Sequence, residues 1–335
     1  MNNKTYMKLN DTSISSMGIG KFFKDDNKGP INSLDFTKDG TLLITASDDE
    51  SIHLYNVDTG DLQTTIRSKK YGVDLVRFTH NNNSIICVSK NSWDESLRYL
   101  SLHDNRYLRY FKGHRNKVVS LSMSPKSDTF ISGSLDDTIR MWDLRTNVCQ
   151  GLLRRNGRPS ISFDPEGLII ATAVSVNTIK LYDMRNYDKG PFSSFIVDHP
   201  TPVEWTTMKF SNDGKYILLS TKENAIFLID SFSGEKKQLY TSFVNDNQSV
   251  IESSFTPDAQ YVLSGSEDGT VHVWKTMTGE EVSVWGGHSS TVGCVQWNPR
   301  SMMAATACDT LGFWIPGNSN NNTQDQQNSN NSLEN

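Results

Sequence analysis

Residues 113–143 read GHRNKVVSLSMSPKSDTFISGSLDDTIRMWD, and they decide the fold. β-Branched and aromatic residues fill short runs, Thr129-FISGS and Thr138-IRMWD, while Ser124-PKSD and Leu135-DD fill the gaps. That is the pattern of strand, tight turn, strand, tight turn, strand. Residues 255–274, FTPDAQYVLSGSEDGTVHVW, say almost the same thing again. The leading element recurs as Phe36-TKDG, Phe78-THNN, Met123-SPKS, Phe163-DPEG, Phe210-SNDG, Phe255-TPDA and Trp297-NPRS. Spacings of 42, 45, 40, 47, 45 and 42 residues give a mean of 43.5, the period of a four-stranded propeller blade. The fold class is therefore all-β, a seven-bladed propeller.

Closure of the ring makes a demand on the N-terminus. Blade seven offers strands near 292–298, 302–307 and 311–315, and then the chain turns polar. Met17-GIGKFFK, ahead of blade one, is the spare strand-like text, and pairing it with blade seven removes the exposed edge. The domain reading is a flexible extension over 1–15, the propeller over 16–316, and a disordered tail over 317–335. That tail holds 11 Asn or Gln among 19 residues.

Composition narrows the function classes. The 335 residues carry 33 Lys and Arg against 38 Asp and Glu, a net charge of -5, which argues against wholesale duplex binding and for no sequence-specific nucleic-acid contact. No run approaches the roughly 20 apolar residues that span a bilayer, and the first residues lack the apolar core of a secretory signal. Four cysteines, Cys87, Cys149, Cys294 and Cys308, form no disulfide framework and no C-x-x-C, which points to a reducing compartment. The seven histidines never fall at metal-ligand spacing, so no metal and no cofactor is expected.

One constellation could be mistaken for catalysis. His114, Ser132, Asp136 and Trp142 contain a Ser-His-Asp set, but their spacing follows the repeat. In a propeller these positions form a buried chain, indole to hydroxyl to imidazole to carboxylate, that locks loop to strand. Matching positions in blade one are Thr45, Asp49 and Tyr55, and in blade six Ser264, Asp268 and Trp274, both without the His. Blade seven has Gly287-His288, yet Asp309 stands five residues before Trp314 instead of six. Acidic pairs such as Asp48-Asp49, Asp136-Asp137 and Glu267-Asp268 sit in turns, and Gly18-Ile19-Gly20 lacks the third Gly and the helix of a phosphate loop. No catalytic residue is assigned, and the chain reads as a binding protein.

Charge placement points to where it binds. Three successive loops between blades are basic: Arg67, Lys69 and Lys70; Lys112, Arg115 and Lys117; Arg154, Arg155 and Arg158. They hold nine cations and no acid, while the other four loops hold one Lys and four acids. The reading is a positive sector on one rim that receives an acidic or phosphorylated peptide, with Arg contacts and Tyr71 as an aromatic wall. The plainer reading is a solvated rim that keeps the face soluble. Tyr99, Tyr107, Tyr110 and Phe111 offer a second surface on blade two, either a docking stripe or packing against the next blade.

The residues also resemble a known family. Gly113-His114, Ser132-GS and Trp142-Asp143 are WD-repeat text, and more specific stretches are Ser68-KKYGVDLVRFTH, Arg98-YLSLHDNRYLRYF, Lys180-LYDMRNYDKGPF and Glu204-WTTMKFSNDGK. Together they resemble the WD-repeat-containing protein eighty-two (Swd-two) family from about Met7 to Pro316. The resemblance implies a nuclear, non-catalytic scaffold subunit of a Set-one (COMPASS-like) complex that methylates histone H3 on lysine 4. Implied partners are the SET-domain methyltransferase and other COMPASS-like subunits, RNA polymerase II with a phosphorylated C-terminal repeat, and a PNUTS–protein phosphatase one or 3′-end processing assembly. Within such a hetero-complex the chain is expected as a monomer. The alternative is a different WD-repeat interaction scaffold, a signalling or ubiquitin-ligase adaptor.

Overall fold

In a computed structural model, which describes residues 9–175, 177–200 and 203–317, the chain forms seven four-stranded antiparallel sheets. Strands a to d of blade one are Ile31–Phe36, Leu42–Ser47, Ser51–Asn56 and Asp61–Arg67. Those of blade two are Val76–Phe78, Ser84–Val88, Leu97–Ser101 and Arg106–Phe111, and those of blade three Val118–Met123, Thr129–Ser134, Thr138–Asp143 and Gly151–Arg154. Blades four, five and six follow over 160–196, 205–240 and 253–286.

Each blade is stacked between two others, so its inner strands are apolar on both faces. Ser84–Val88 and Tyr261–Gly265 are buried at every residue, while the outer strand Asp61–Arg67 buries only Ile66. The cores therefore lie between blades. Between blades two and three, Phe111 meets Phe130 edge-on at 4.9 Å and Trp142 at 5.7 Å.

Blade seven takes Cys294–Trp297, Ala304–Ala307 and Leu311–Pro316 from the C-terminal end and Met17–Phe23 from the N-terminal end. The last two pair antiparallel, Met17 opposite Pro316 and Phe23 opposite Leu311. Adjacent residues of this strand point to opposite faces. Phe22 accordingly packs edge-on against Trp314 and His288 on the blade-six side, and Phe23 against Tyr55 and Phe313 on the blade-one side. One short strand staples both neighbouring cores.

The expectation of a flexible extension over 1–15 is corrected for its described part. Asp11–Ser15 is a helix, capped reciprocally by Asn10 and Ser13: Asn10 Oδ1 accepts from the Ser13 N–H at 2.8 Å, and Ser13 Oγ from the Asn10 N–H at 2.9 Å. Ile14 is fully buried beside blade six, where the Trp285 indole donates to its carbonyl at 3.3 Å. Tyr261 donates to Asp11 at 2.7 Å and Lys275 pairs with it at 2.9 Å. Apolar burial and a self-contained cap order the segment. Residues 1–8, and the expected disordered tail from 318 onward, lie outside the described residues.

Replacing Ile14 by Ala should lower the unfolding free energy by about 2–5 kcal/mol, the usual loss for a buried branched aliphatic. The exposed neighbour change Thr12→Ala should leave it within about 0.5 kcal/mol. Urea unfolding of the full chain reads both, and an equal effect of the two would remove the helix from the folded unit.

Candidate functional site

In blade three, strands b and c and the loop from blade two bring the four expected polar residues together. The Trp142 indole donates to Ser132 Oγ at 2.8 Å, Ser132 Oγ donates to His114 Nε2 at 2.8 Å, and His114 Nδ1 donates to Asp136 Oδ2 at 3.1 Å. The same carboxylate accepts the Arg115 N–H at 2.9 Å and, through Oδ1, the Thr138 N–H at 3.0 Å. Burial holds His114 below its ordinary pKa against the pull of Asp136. Burial opposes ionisation of Asp136, but the Thr138 hydroxyl, the Arg115 N–H and His114 outweigh it and hold the acid below its usual range. Ser132 is wholly buried between indole and imidazole. Its hydroxyl is a link in a rivet, with no open side for a substrate carbonyl.

The other blades vary the theme. In blade seven, His288 Nε2 and the Trp314 indole both meet Thr306 Oγ1 at 2.6 Å, and His288 Nδ1 faces Cys308 Sγ at 3.1 Å. Cys308 thus occupies the acid's position six residues before the Trp, and its thiol reaches Asp309 at 2.8 Å. With no carboxylate in direct contact, burial pushes the His288 pKa down to about 4. In blade six the expected set Ser264, Asp268 and Trp274 does not join. Trp274 donates instead to Ser242 at 2.8 Å, Ser264 turns to the Gly265 carbonyl, and His272 from strand c stacks on Trp274 while bonding Glu281. Blade one joins Tyr55 to His53 at 3.4 Å.

The basic rim is less uniform than its loops alone imply. Loops joining strand b to strand c emerge on the same rim as the loops between blades, since adjacent strands run antiparallel. Their acids therefore interleave with the cations. The loops between blades also pair with one another: Lys117 Nζ lies 2.8 Å from Asp74 Oδ2, and Arg158 turns inward to Glu204 at 4.0 Å and the Thr206 carbonyl at 3.3 Å. Arg155 is held over the Tyr182 ring at 5.5 Å, donating to its hydroxyl at 2.9 Å. Lys69, Lys70, Arg115 and Arg154 remain exposed and form no ion pair with the described residues. Lys70 leans over Tyr71 at 5.1 Å. The nine cations are thus two kinds, spent and free.

Lys117 and Arg158 border the axial channel, a cavity of about 590 Å³ lined by all seven blades. Its cations are matched by nearby acids: besides the pairs of Lys117 and Arg158, Glu252 receives Lys209 at 3.2 Å and Arg77 at 3.8 Å. Among the described residues no group of three or more His, Cys, Asp or Glu could hold a metal ion, and all four cysteines are free.

The aromatic row on blade two divides. Phe111 is core, Tyr107 is half-buried, and Tyr110 is 38% exposed. An extra residue, Leu108, bulges from the outer strand so that Tyr107 pairs with Leu100 and Tyr110 with Arg98, placing both tyrosines on one face. Simple alternation from the sequence separates them. Neither Arg98, 1% exposed and named only as part of a family-specific stretch, nor Trp93, 63% exposed, is given a site role by the sequence reading. The available signal was the long loop between strands b and c of blade two.

The family described as WD domain, G-beta repeat matches residues 20–56, 105–143, 237–275 and 279–311. The chain is 50% identical to WD repeat-containing protein 82 of Drosophila melanogaster, over 92% of this chain and 98% of that one. It is 38% identical to Set1 complex component swd2 of Schizosaccharomyces pombe, over 76% and 74% of the two chains. Against COMPASS component SWD2 of Saccharomyces cerevisiae the identity is 31%, over 93% and 99%.

The blade-seven substitution has a pH signature. Unfolded His288 protonates near its ordinary 6.5 and folded His288 near 4, so between those values the unfolded chain binds more protons. Its stabilising effect is complete above 6.5 and is lost as the pH falls toward 4. Cys308→Asp should raise the folded value and shrink that loss. Urea midpoints at neutral and mildly acid pH should therefore differ less in the variant, and an equal difference would deny the Cys its place in the relay.

Proposed function

The chain belongs to the family of WD repeat-containing protein 82 and Swd2, and from that premise we propose that it is a non-catalytic scaffold subunit of a Set1-type complex that methylates histone H3 on lysine 4 in the nucleus. The observation that carries this reading is likeness, over most of both chains, to proteins named as Set1 complex and COMPASS components. The structure is consistent with a docking role: the Ser-His-Asp groups of blade three serve the fold, and the free chemistry lies on the rims. A rigid ring presents several faces to several partners with little ordering cost.

The finer reading assigns the exposed part of the basic rim, Lys69, Lys70, Arg115 and Arg154, to an acidic or phosphorylated segment. A phosphorylated C-terminal repeat of RNA polymerase II has the charge it calls for, and association with a phosphatase assembly extends the same scaffold role. The support is electrostatic: these cations have no carboxylate partner among the described residues, whereas Lys117 and Arg158 have one and Arg155 is held by Tyr182.

Purification of the tagged full chain from nuclei, read by mass spectrometry, should recover a SET-domain methyltransferase subunit; intact chain recovered repeatedly without one overturns the assignment. For the rim, Arg115→Glu with Arg154→Glu should weaken binding of a phosphoserine peptide of the polymerase repeat by at least about tenfold at unchanged melting temperature. Equal affinity for the two proteins would leave the rim a solubilising surface only.

A further inference from the structure

Eight residues separate Val88 from Leu97 in blade two, where three separate Ser134 from Thr138 in blade three. The longer loop carries Trp93 into solvent, and what lies beneath it is built. The indole lies 5.5 Å from the Tyr71 ring at 34°. Tyr71 in turn covers the Arg98 guanidinium, 3.6 Å from ring centre to central carbon. Arg98 is anchored by Asp94 Oδ2 at 2.7 Å and the Ser96 carbonyl at 3.3 Å, with Tyr110 5.9 Å away. The loop is tied down at its base: Ser89 Oγ and the Lys90 N–H donate to the Tyr71 carbonyl at 2.7 and 3.2 Å, and Asn91 Nδ2 donates to the Lys70 carbonyl at 3.0 Å.

A buried arginine is costly unless its charge is answered, and here one carboxylate and an aromatic face answer it. The result is a column, Trp93 on Tyr71 on Arg98, whose outer ring is 63% exposed. An aromatic side chain already fixed in place loses little freedom when a partner covers it, which is the character of an interface anchor. The surrounding charge sets the partner's chemistry. Arg67, Lys69 and Lys70 are exposed on the adjoining loop and no acid stands among them. Asp94 is spent on Arg98, and Glu95 feels the charges of Lys117 and Asp74 nearer the channel. The bulge at Leu108 spoils the outer strand as a template for an added strand, so recognition runs through side chains.

We infer that the Trp93–Tyr71–Arg98 column and the Arg67, Lys69 and Lys70 loop beside it form a docking site for an acidic linear segment of a partner protein, whose bulky apolar side chain lies on the free face of Trp93. The site rests on the reading of this ring as a docking subunit and names the segment that blade two takes.

The test uses the isolated full chain and a fluorescein-labelled peptide, Asp-Asp-Glu-Phe-Asp-Asp-Glu. Its controls are a version with Ala for Phe, a version with Lys for every acid, and a deoxythymidine dodecamer. The Trp93 indole N–H resonance is identified by its loss in Trp93→Phe. The acidic Phe peptide should shift that resonance, and its affinity should fall at least about tenfold in Trp93→Ala and in Lys69→Glu with Lys70→Glu, at unchanged melting temperature. Absence of binding, equal binding by Trp93→Ala, or stronger binding of the Lys peptide or the oligonucleotide overturns the site. Because the measurement needs no complex, its failure leaves membership of a Set1-type assembly to be judged separately by co-purification.

Discussion

Everything in this molecule depends on pairing Met17–Phe23 with Leu311–Pro316. A blade cannot bury its own hydrophobic faces, because each core is made by two blades together. An open arc of seven would leave two apolar faces in water and a free strand edge. Joining chain ends nearly 300 residues apart costs, by loop-closure arithmetic, on the order of 5 kcal/mol beyond the constant term. Phe22 and Phe23 offset that by entering the cores on either side of the seam. The capped helix Asp11–Ser15 adds Ile14 against blade six, extending the seam outward.

With the ring closed, the polar relays set how rigid each loop is. Blade three carries the full set with an acid at its end; blade seven ends in a thiol, and blade six abandons the pattern for a His stacked on its Trp. All three solutions give the buried indole N–H an acceptor, the requirement that a Trp inside a blade imposes. How that acceptor is supplied is free to vary. This is why hydroxyl, imidazole and carboxylate can gather within hydrogen-bond distance in blade three without forming a hydrolytic centre.

The repeat made the blades and the His114–Ser132–Asp136–Trp142 set legible, since each is a local pattern at a fixed period, and the strand missing from blade seven pointed to Met17-GIGKFFK. The rim was harder to read. Counting charge loop by loop misses the pairing between loops: Asp74, just past the basic run of its loop, holds Lys117, and Glu204, in the loop before blade five, draws Arg158 inward. Blade two was harder still. A single bulged residue, Leu108, reverses the faces of an outer strand, and alternation in the sequence carries no mark of it. Arg98 reads as an ordinary exposed strand arginine until Tyr71 is seen to lie across it.

These departures fall in a physically sensible place. Inner strands are held on both faces by neighbouring blades, so an extra residue there would disturb two cores at once. Outer strands and the loops between strands b and c have one face in water, where an insertion or a bulge costs little and can redirect a side chain. Blade two takes both liberties, and they act together. The long loop exposes Trp93, while the bulge turns Tyr110 to the Arg98 face beneath the column. A ring of this kind changes what it binds by altering its outermost residues, leaving the seam and the relays to hold the geometry constant.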